Sequence, residues 1–366
     1  MFTTPTLTVN LSAIAANWQL LRARFRGEEC AAVVKADAYG LGAIAVSQAL
    51  EKAGCHTFFV ATLDEAITLR AALPDVRILV FHGVGAGEEF AFAAHRLIPV
   101  LNSLAQIARW KPVAAEHVHA VSALHIDTAM GRMGLETATF DALMDADPTI
   151  LDACRVGLLL SHFACAPEAD HPLNAAQLAA FNAACARAPG IPASLCNSGG
   201  IFLSAAHHFN LARPGCSLYG IAPQAHGANP MAQVARWDAP ILMTRTLERT
   251  QTIGYGATAT AAKGTRIATV ASGYADGYLR HLSGNGVGYL GEHRVPLIGR
   301  VTMDMLCFDV TNVPEHLTHD GARLTLLGDR DGIRVDEVAH AAGTIGYEIL
   351  TRIGARVKRV YETPLD

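Results

Sequence analysis

Charge is scarce in this chain of 366 residues: Asp, Glu, Lys and Arg make up 17% of it against 51% hydrophobic residues, and the formal net charge is only -4. So small an excess leaves no electrostatic footprint for nucleic acid or an anionic membrane, and a small molecule becomes the default partner. No apolar window is long enough to cross a bilayer. The opening MFTTPTLTVN lacks a basic stretch followed by an apolar core, so a secretory signal is not expected either. The 8 cysteines form no CxxC pair and no regular framework, and in a chain this large they read as reduced, buried thiols of a cytoplasmic protein. Histidine pairs such as His117 with His119, or His207 with His208, lack the partners that a metal site needs, and no metal is expected.

What the sequence does contain is a regular alternation. Thr6 to Val9 reads as a short strand, and Asn10 can cap a helix that carries Ile14, Trp18, Leu21 and Phe25 at helical spacing. Apolar runs then alternate with Ala-rich helical patterns: Ala31 to Val34, Thr57 to Ala61, Arg77 to Phe81, Leu97 to Leu101, Val118 to Ile126, Val156 to Leu160, Ala193 to Cys196 and Asn210 to Ala212. Short buried strands separated by helices predict an N-terminal (β/α)8 TIM-type barrel, whose chemistry gathers at the C-terminal ends of its strands. Lys35, His82, Asn102, Arg132, His162, Asn197, Ser198 and Arg213 all fall just beyond those ends. Periodicity alone also permits an open, doubly wound sheet. From about Trp237 the texture turns Thr-, Val- and Gly-rich, with a helical pattern over Asp336 to Leu350 and a last strand at Val357 to Tyr361. Two domains are therefore expected, a barrel over 1–235 and a mostly β C-terminal domain over 236–366.

The stretch AAVVKADAYGLG, Ala31 to Gly42, ends an apolar strand on Lys35. A lysine there either reaches solvent along its own methylenes or is a chemically engaged amine with a shifted pKa. Arg132 lies between two glycines in IDTAMGRMG and can grip a phenolate or carboxylate with its forked guanidinium. Asn197-Ser198-Gly199-Gly200 precedes a helical pattern over Ile201 to His208, an arrangement that predicts an anion site at a helix N-terminus; Arg213-Pro214-Gly215-Cys216 follows. A strand-end lysine combined with a phosphate cradle at the last two strands describes a site for pyridoxal phosphate.

These segments carry a resemblance. VVKADAYGLG at Val33, IDTAMGRMG at Ile126, SHFA at Ser161, NSGG at Asn197, RPG at Arg213, IGYGAT at Ile253, GYADG at Gly273, TMDM at Thr302 and GYEI at Gly346 closely resemble the alanine racemases, in family order and over nearly the whole chain. The resemblance implies pyridoxal 5'-phosphate as cofactor, an amino acid as substrate, and a homodimer whose active sites are shared between subunits. It implies that Lys35 holds the cofactor and is the base on the D-alanine side, while Tyr255 from the other subunit is the base on the L-alanine side. Tyr39, Ser198, Gly215, Cys216 and Tyr347 would serve the phosphate, and Asn197 would adjoin them. Arg132 would contact the cofactor's phenolic oxygen and the substrate carboxylate, Met303 would offer its backbone N–H to that carboxylate, and Tyr274 would narrow the mouth. A free tyrosine ionises near pH 10, so Tyr255 needs help, which the family draws through His162 and Arg213. The implied role is supply of D-alanine for peptidoglycan. A serine-type or broader racemase, and a non-catalytic barrel that merely binds the cofactor, are the competing readings.

One position departs from the family. Many members carry a carbamylated lysine two residues before the aspartate of the arginine motif, whose negative charge holds the arginine; here that position is His125. Histidine forms no such stable carbamate, so either His125 is neutral and bonds differently or another anion positions Arg132.

Overall fold

The structure is a computed structural model and describes residues 4–362. Its N-terminal part is a ring of parallel strands with helices outside. The strands at Ala32–Val33, Thr57–Val60, Arg77–Val80, Ile98–Leu101, Ser122–Asp127, Val156–Leu160 and Ala193–Ser194 pair in parallel in that spatial order. The ring closes through the Leu211–Ala212 strand, which pairs with Glu29–Cys30. Ala31 N and Val33 N donate to Ala212 O and Pro214 O, each at 2.9 Å, and Asn210 N donates to Ala193 O at 3.0 Å. Closure rules out the open doubly wound sheet.

Period-two alternation explains why these strands read as unbroken apolar runs. Ala31, Val33, Phe59, Leu79, Val100, Ala123, Leu158, Leu160 and Leu211 point inward and form one compact cluster that fills the barrel. The residues between them, such as Ala32, Val34, Phe58, Val60, Ile78 and Val80, point outward into the layer shared with the helices. The first helix, Leu11–Arg24, starts where Asn10 accepts from Ala13 N at 2.8 Å, and it buries Ile14, Trp18 and Leu21 as the spacing predicts. The fifth strand is shorter than the Val118 to Ile126 run, because Val118 to Val121 lie in a turn and Val118 is exposed.

The second sheet is mostly antiparallel, and the first strand of the chain belongs to it. Thr6–Asn10 pairs antiparallel with Ala235–Thr246 and parallel with Lys358–Glu362. That strand, counted with the barrel over 1–235, thus stands in the sheet of the C-terminal part. Its alternation buries Leu7 and Val9 and turns threonines outward, the pattern of a sheet with one wet face rather than of a barrel strand. Two expected helices also differ. Asp336 to Leu350 is two short helices, Val335–Ala341 and Gly346–Thr351, parted at Gly343, whose φ of +67° ends the first turn series. Ile201 to His208 holds only the 3-10 turns Gly200–Phe202 and Ala205–His207, because Ser204 between them is extended. Among the described residues no helix is long and apolar enough to cross a membrane.

Candidate active site

A cavity of about 530 Å³ opens at the C-terminal ends of the barrel strands. Lys35, Tyr39, Arg132, His162, Asn197, Ser198, Arg213, Gly215, Cys216 and Tyr347 all line it, together with His82, Asn102 and His125. The residues expected to touch the cofactor thus meet in one place, all but Tyr347 carried by the barrel and Tyr347 by the Gly346–Thr351 helix of the C-terminal part. The half-buried Lys35 ends its strand with Nζ 5.7 Å from the centre of the Phe81 ring and has no hydrogen-bond or ion-pair partner among the described residues. Burial, and then the charge of Arg132, push its pKa below the ordinary lysine value, which raises the share of neutral amine. Of the two readings of this lysine, the engaged amine fits the geometry.

Beyond Lys35 the backbone does something costly. Ala36, Asp37, Ala38 and Tyr39 take φ values of 52°, 54°, 52° and 57°, one left-handed turn built without glycine. Such a conformation costs about 1–2 kcal/mol per residue, so surrounding contacts must hold it. Ala38 N donates to Val34 O at 2.9 Å, and Asp37 Oδ1 accepts from Ala43 N at 2.7 Å. The Arg359 guanidinium donates to Gly40 O, and Glu65 Oε1 accepts from Ala36 N at 2.7 Å. The turn aims Tyr39 back into the barrel, where its ring packs on Tyr219 and Tyr347. Neither Glu65 nor Phe81 was expected here. Glu65 was legible only as the acid of a Thr-x-x-Glu helix start, and Phe81 only as the end of an apolar run.

The opposite wall is the anion cradle. Ser198 Oγ accepts from Gly215 N at 3.0 Å and from Ser217 N at 3.3 Å. A Cβ on residue 215 would stand 2.7 Å from Tyr39 Oη, so glycine is what allows a ligand to approach this backbone. Tyr347 Oη donates to Cys216 Sγ at 2.9 Å. Asn197 spends its side-chain oxygen on Gly200 N at 2.9 Å and shapes the turn. The helix N-terminus expected after Asn197 is absent, since only 3-10 turns follow; loop N–H groups and side chains make the cradle instead.

Arg213 lies buried at the cavity floor. Its Nη1 donates to Ser194 O at 2.9 Å and to Ser194 Oγ, its Nη2 donates to Ser161 O, and His162 Nδ1 stands 3.5 Å from Nη2. Burial pulls its pKa down to about 10, which leaves it a cation at neutral pH. Its Nε is buried without an acceptor. Burial, followed by the Arg213 and Arg132 charges, holds His162 well below the ordinary histidine value, so it is neutral. Because Arg213 can only donate, His162 Nδ1 faces it as an acceptor, and the ring proton sits on Nε2.

The same logic fixes His125. Asn102 Nδ2 donates to Phe81 O at 2.9 Å and Val100 O at 2.7 Å, so the atom 2.8 Å from His125 Nδ1 is the acceptor Asn102 Oδ1. His125 therefore carries its proton on Nδ1, and its buried Nε2 holds an unpartnered lone pair. Burial and then Arg213 push its pKa down to about 4. It presents a neutral acceptor where the family resemblance implies a carbamylated lysine. This shift has a consequence for stability. Above pH 6.5 both folded and unfolded His125 are neutral; as the pH falls from 6.5 towards 4 only the unfolded chain gains the proton. Stability is then lost across that window by up to about 3 kcal/mol. Thermal melts of the wild type and His125→Asn from pH 7 to pH 4 should diverge over that range, and parallel curves would show that His125 titrates normally in the fold.

Tyr255, Tyr274 and Met303 do not line this cavity. They sit on the C-terminal part with relative exposures of 73%, 43% and 53%. Tyr255 begins a 3-10 turn between Gly254 and Gly256, whose φ values are +75° and +72°. Tyr274 and Met303 share a platform: Tyr274 N donates to Thr302 O and Ala275 N to Met303 O, both at 3.0 Å. Arg356 ties the two loops by pairing with Asp276 at 3.1 Å and Asp304 at 2.7 Å.

Comparison with known proteins agrees along the whole chain. The family description "Alanine racemase, N-terminal domain" matches residues 9–223, and "Alanine racemase, C-terminal domain" matches residues 234–361. An alanine racemase of Rhodospirillum rubrum is 50% identical over 98% of this chain and 96% of its own length. Two proteins of Agrobacterium fabrum, an alanine racemase described as catabolic and one described as biosynthetic, are 44% and 43% identical, covering 98% and 97% of this chain and 92% and 93% of their own. Among solved structures, alanine racemase from Bartonella henselae with covalently bound pyridoxal phosphate superposes with a TM-score of 0.91 at 36% identity, over 98% of this chain and 99% of that one. Biosynthetic alanine racemase from Pseudomonas aeruginosa gives 0.88 at 34% identity, over 99% of this chain and 100% of that one.

Proposed function

The chain belongs to the alanine racemase family of pyridoxal phosphate-dependent isomerases, and from that premise we propose that it interconverts L- and D-alanine with two bases, Lys35 on one face of the substrate and Tyr255 of a second copy on the other. The observation that carries this reading is the partnerless amine of Lys35 in a cavity whose far wall is an anion cradle. The residues present fit the cofactor. Gly215 leaves room that a Cβ would fill, Tyr39 offers a hydroxyl without a partner among the described residues, and the orphaned Nε of Arg213 awaits an acceptor such as a ring nitrogen. Lys35 would hold the carbonyl carbon, with Ser198, Tyr39 and Tyr347 at the phosphate. Bound there, pyridoxal phosphate supplies an electron sink that acidifies the substrate's Cα proton.

Inversion needs one group to take a proton from one face and another to return it to the opposite face. Lys35 Nζ would serve the D-alanine face as the base. On the L-alanine face the phenolic oxygen of Tyr255 must shed a proton, and His162 is set to help. Its Nε2–H would donate to that oxygen while the Arg213 cation stands behind its Nδ1, which would favour the ionised phenol. Arg132, free of partners among the described residues, can grip the substrate carboxylate, and His125 Nε2 is an unpartnered neutral acceptor in the same cavity. Tyr255, Tyr274 and Met303 lie exposed on the C-terminal part, which suits a homodimer in which each copy completes the other's cavity.

The product reading is D-alanine for peptidoglycan. Purified protein assayed by polarimetry over a panel of L-amino acids should racemise alanine at least tenfold faster than serine. Faster turnover of serine or of a larger substrate would establish the broad racemase instead, and no turnover of any would establish the non-catalytic barrel.

A further inference from the structure

The acid that meets the chain next to Lys35 comes from a neighbouring βα unit. Glu65 lies in the first turn of the Leu63–Ala72 helix and closes a capping box: its Oε2 accepts from Ala61 N at 2.8 Å and Thr62 N at 3.3 Å, while its own N–H donates to Thr62 Oγ1 at 3.3 Å. A helix start needs nothing more. Yet Oε1 reaches across to Ala36 N at 2.7 Å, the amide directly after Lys35 and the first residue of the left-handed turn. None of the other hydrogen bonds holding that turn engages this amide. We propose that Glu65 is a positioning residue for Lys35, its carboxylate latching the backbone that sets the direction of the lysine side chain. This rests on the reading of Lys35 as a proton-transfer base.

The charge matters as well as the bond. Facing Lys35 across the cavity are Arg132 and Arg213 as cations and His82, His125 and His162 as histidines. Tyr39, Tyr347 and Cys216 are the remaining titratable groups, and among the described residues no carboxylate lines the wall. Glu65, behind the turn, is the acid that opposes burial and Arg132 in setting the affinity of the Lys35 amine for a proton. A base that must both take and return a proton cannot have its protonated form made too unfavourable.

Glu65→Gln separates the latch from the cap. An amide has one acceptor oxygen, and the two N–H groups of Ala61 and Thr62 claim it, which leaves an NH2 facing the N–H of Ala36. Thr62→Ala is the control, since it weakens the same helix start and does not touch the latch. In the full chain freed of cofactor, competitive acetylation of Lys35 as a function of pH should give a midpoint lower by about half a unit or more in Glu65→Gln and unchanged in Thr62→Ala. In the holoenzyme, hydrogen exchange at Ala36 should speed up about tenfold or more in Glu65→Gln alone. The deuterium isotope effect should rise with Cα-deuterated D-alanine, not with the L-enantiomer, as kcat/KM falls roughly ten- to hundredfold. Equal activity losses in the two variants with an unmoved labelling midpoint would reduce Glu65 to a helix cap. An enzyme that exchanges the Cα proton of neither enantiomer would sink the functional reading, and the labelling midpoint would still decide the role of Glu65.

Discussion

Lys35→Ala is expected to lower racemisation of alanine by roughly 10³-fold or more in both directions. The loss is large because two tasks end together: the covalent hold on the cofactor and proton transfer on one face. Arg132, Arg213, His125 and His162 cannot take over. The other cations of the cavity are arginines, whose protons are held too firmly, and the histidines His125 and His162 are locked as neutral rings by Asn102 and Arg213. Lys35→Arg should therefore be as inactive as Lys35→Ala. The fold should survive, since Lys35 Nζ makes no hydrogen bond among the described residues and the turn that follows is held through its backbone. The cradle of Ser198, Gly215 and Tyr347 is also independent of the lysine, so the variant should still bind the cofactor, though not covalently. Added methylamine should restore a small part of the activity by supplying the missing amine. Polarimetry with each enantiomer checks the losses and the rescue, and mass spectrometry after borohydride reduction checks that the cofactor is no longer held covalently. Activity within tenfold of the wild type would remove Lys35 from the mechanism.

The barrel was legible because its strands are covered on both faces, which writes them as apolar runs, and because polar residues recur where each run stops. Part of the cofactor wall followed from the same rule, while Tyr39, Cys216 and Tyr347 came only from the resemblance to the family. What escaped the sequence has physical causes. Thr6–Asn10 stands beside the barrel strands in the chain but in another sheet in space, and only its alternating Leu7 and Val9 hinted at a half-wet setting. The Ile201 to His208 pattern is apolar at helical spacing, yet the chain there makes two 3-10 turns, because Ser204 interrupts propagation before a full turn forms. The left-handed turn after Lys35 is invisible in Ala-Asp-Ala-Tyr, residues that ordinarily avoid positive φ; it is imposed by Glu65, Asp37 and Arg359, two of which are distant in sequence. The state of His125 depends on Asn102, 23 residues away in the chain, which spends both of its N–H groups on backbone carbonyls.

Tyr255→Phe should cost roughly 10²–10⁴-fold in kcat/KM, equally for the two enantiomers, because the equilibrium constant between mirror-image substrates cannot change and every loss in one direction is matched in the other. The isotope effects need not match. Removing the L-face base should raise the effect with Cα-deuterated L-alanine and leave that with D-alanine near the wild-type value, the mirror of the pattern for a damaged Lys35. A stronger test uses the exposure of Tyr255 on its own chain. If each cavity takes its tyrosine from the other copy, a dimer of one Lys35→Ala chain and one Tyr255→Phe chain has one site with both lesions and one site with none. Random reassortment makes half of the dimers mixed, each with one of its two sites intact, so about a quarter of the wild-type activity should return on mixing two inactive proteins. Sites confined to single chains predict no recovery at all, since each chain then keeps its own lesion whatever its neighbour. The mixing experiment thus separates a shared site from a self-contained one without any measurement of the dimer itself.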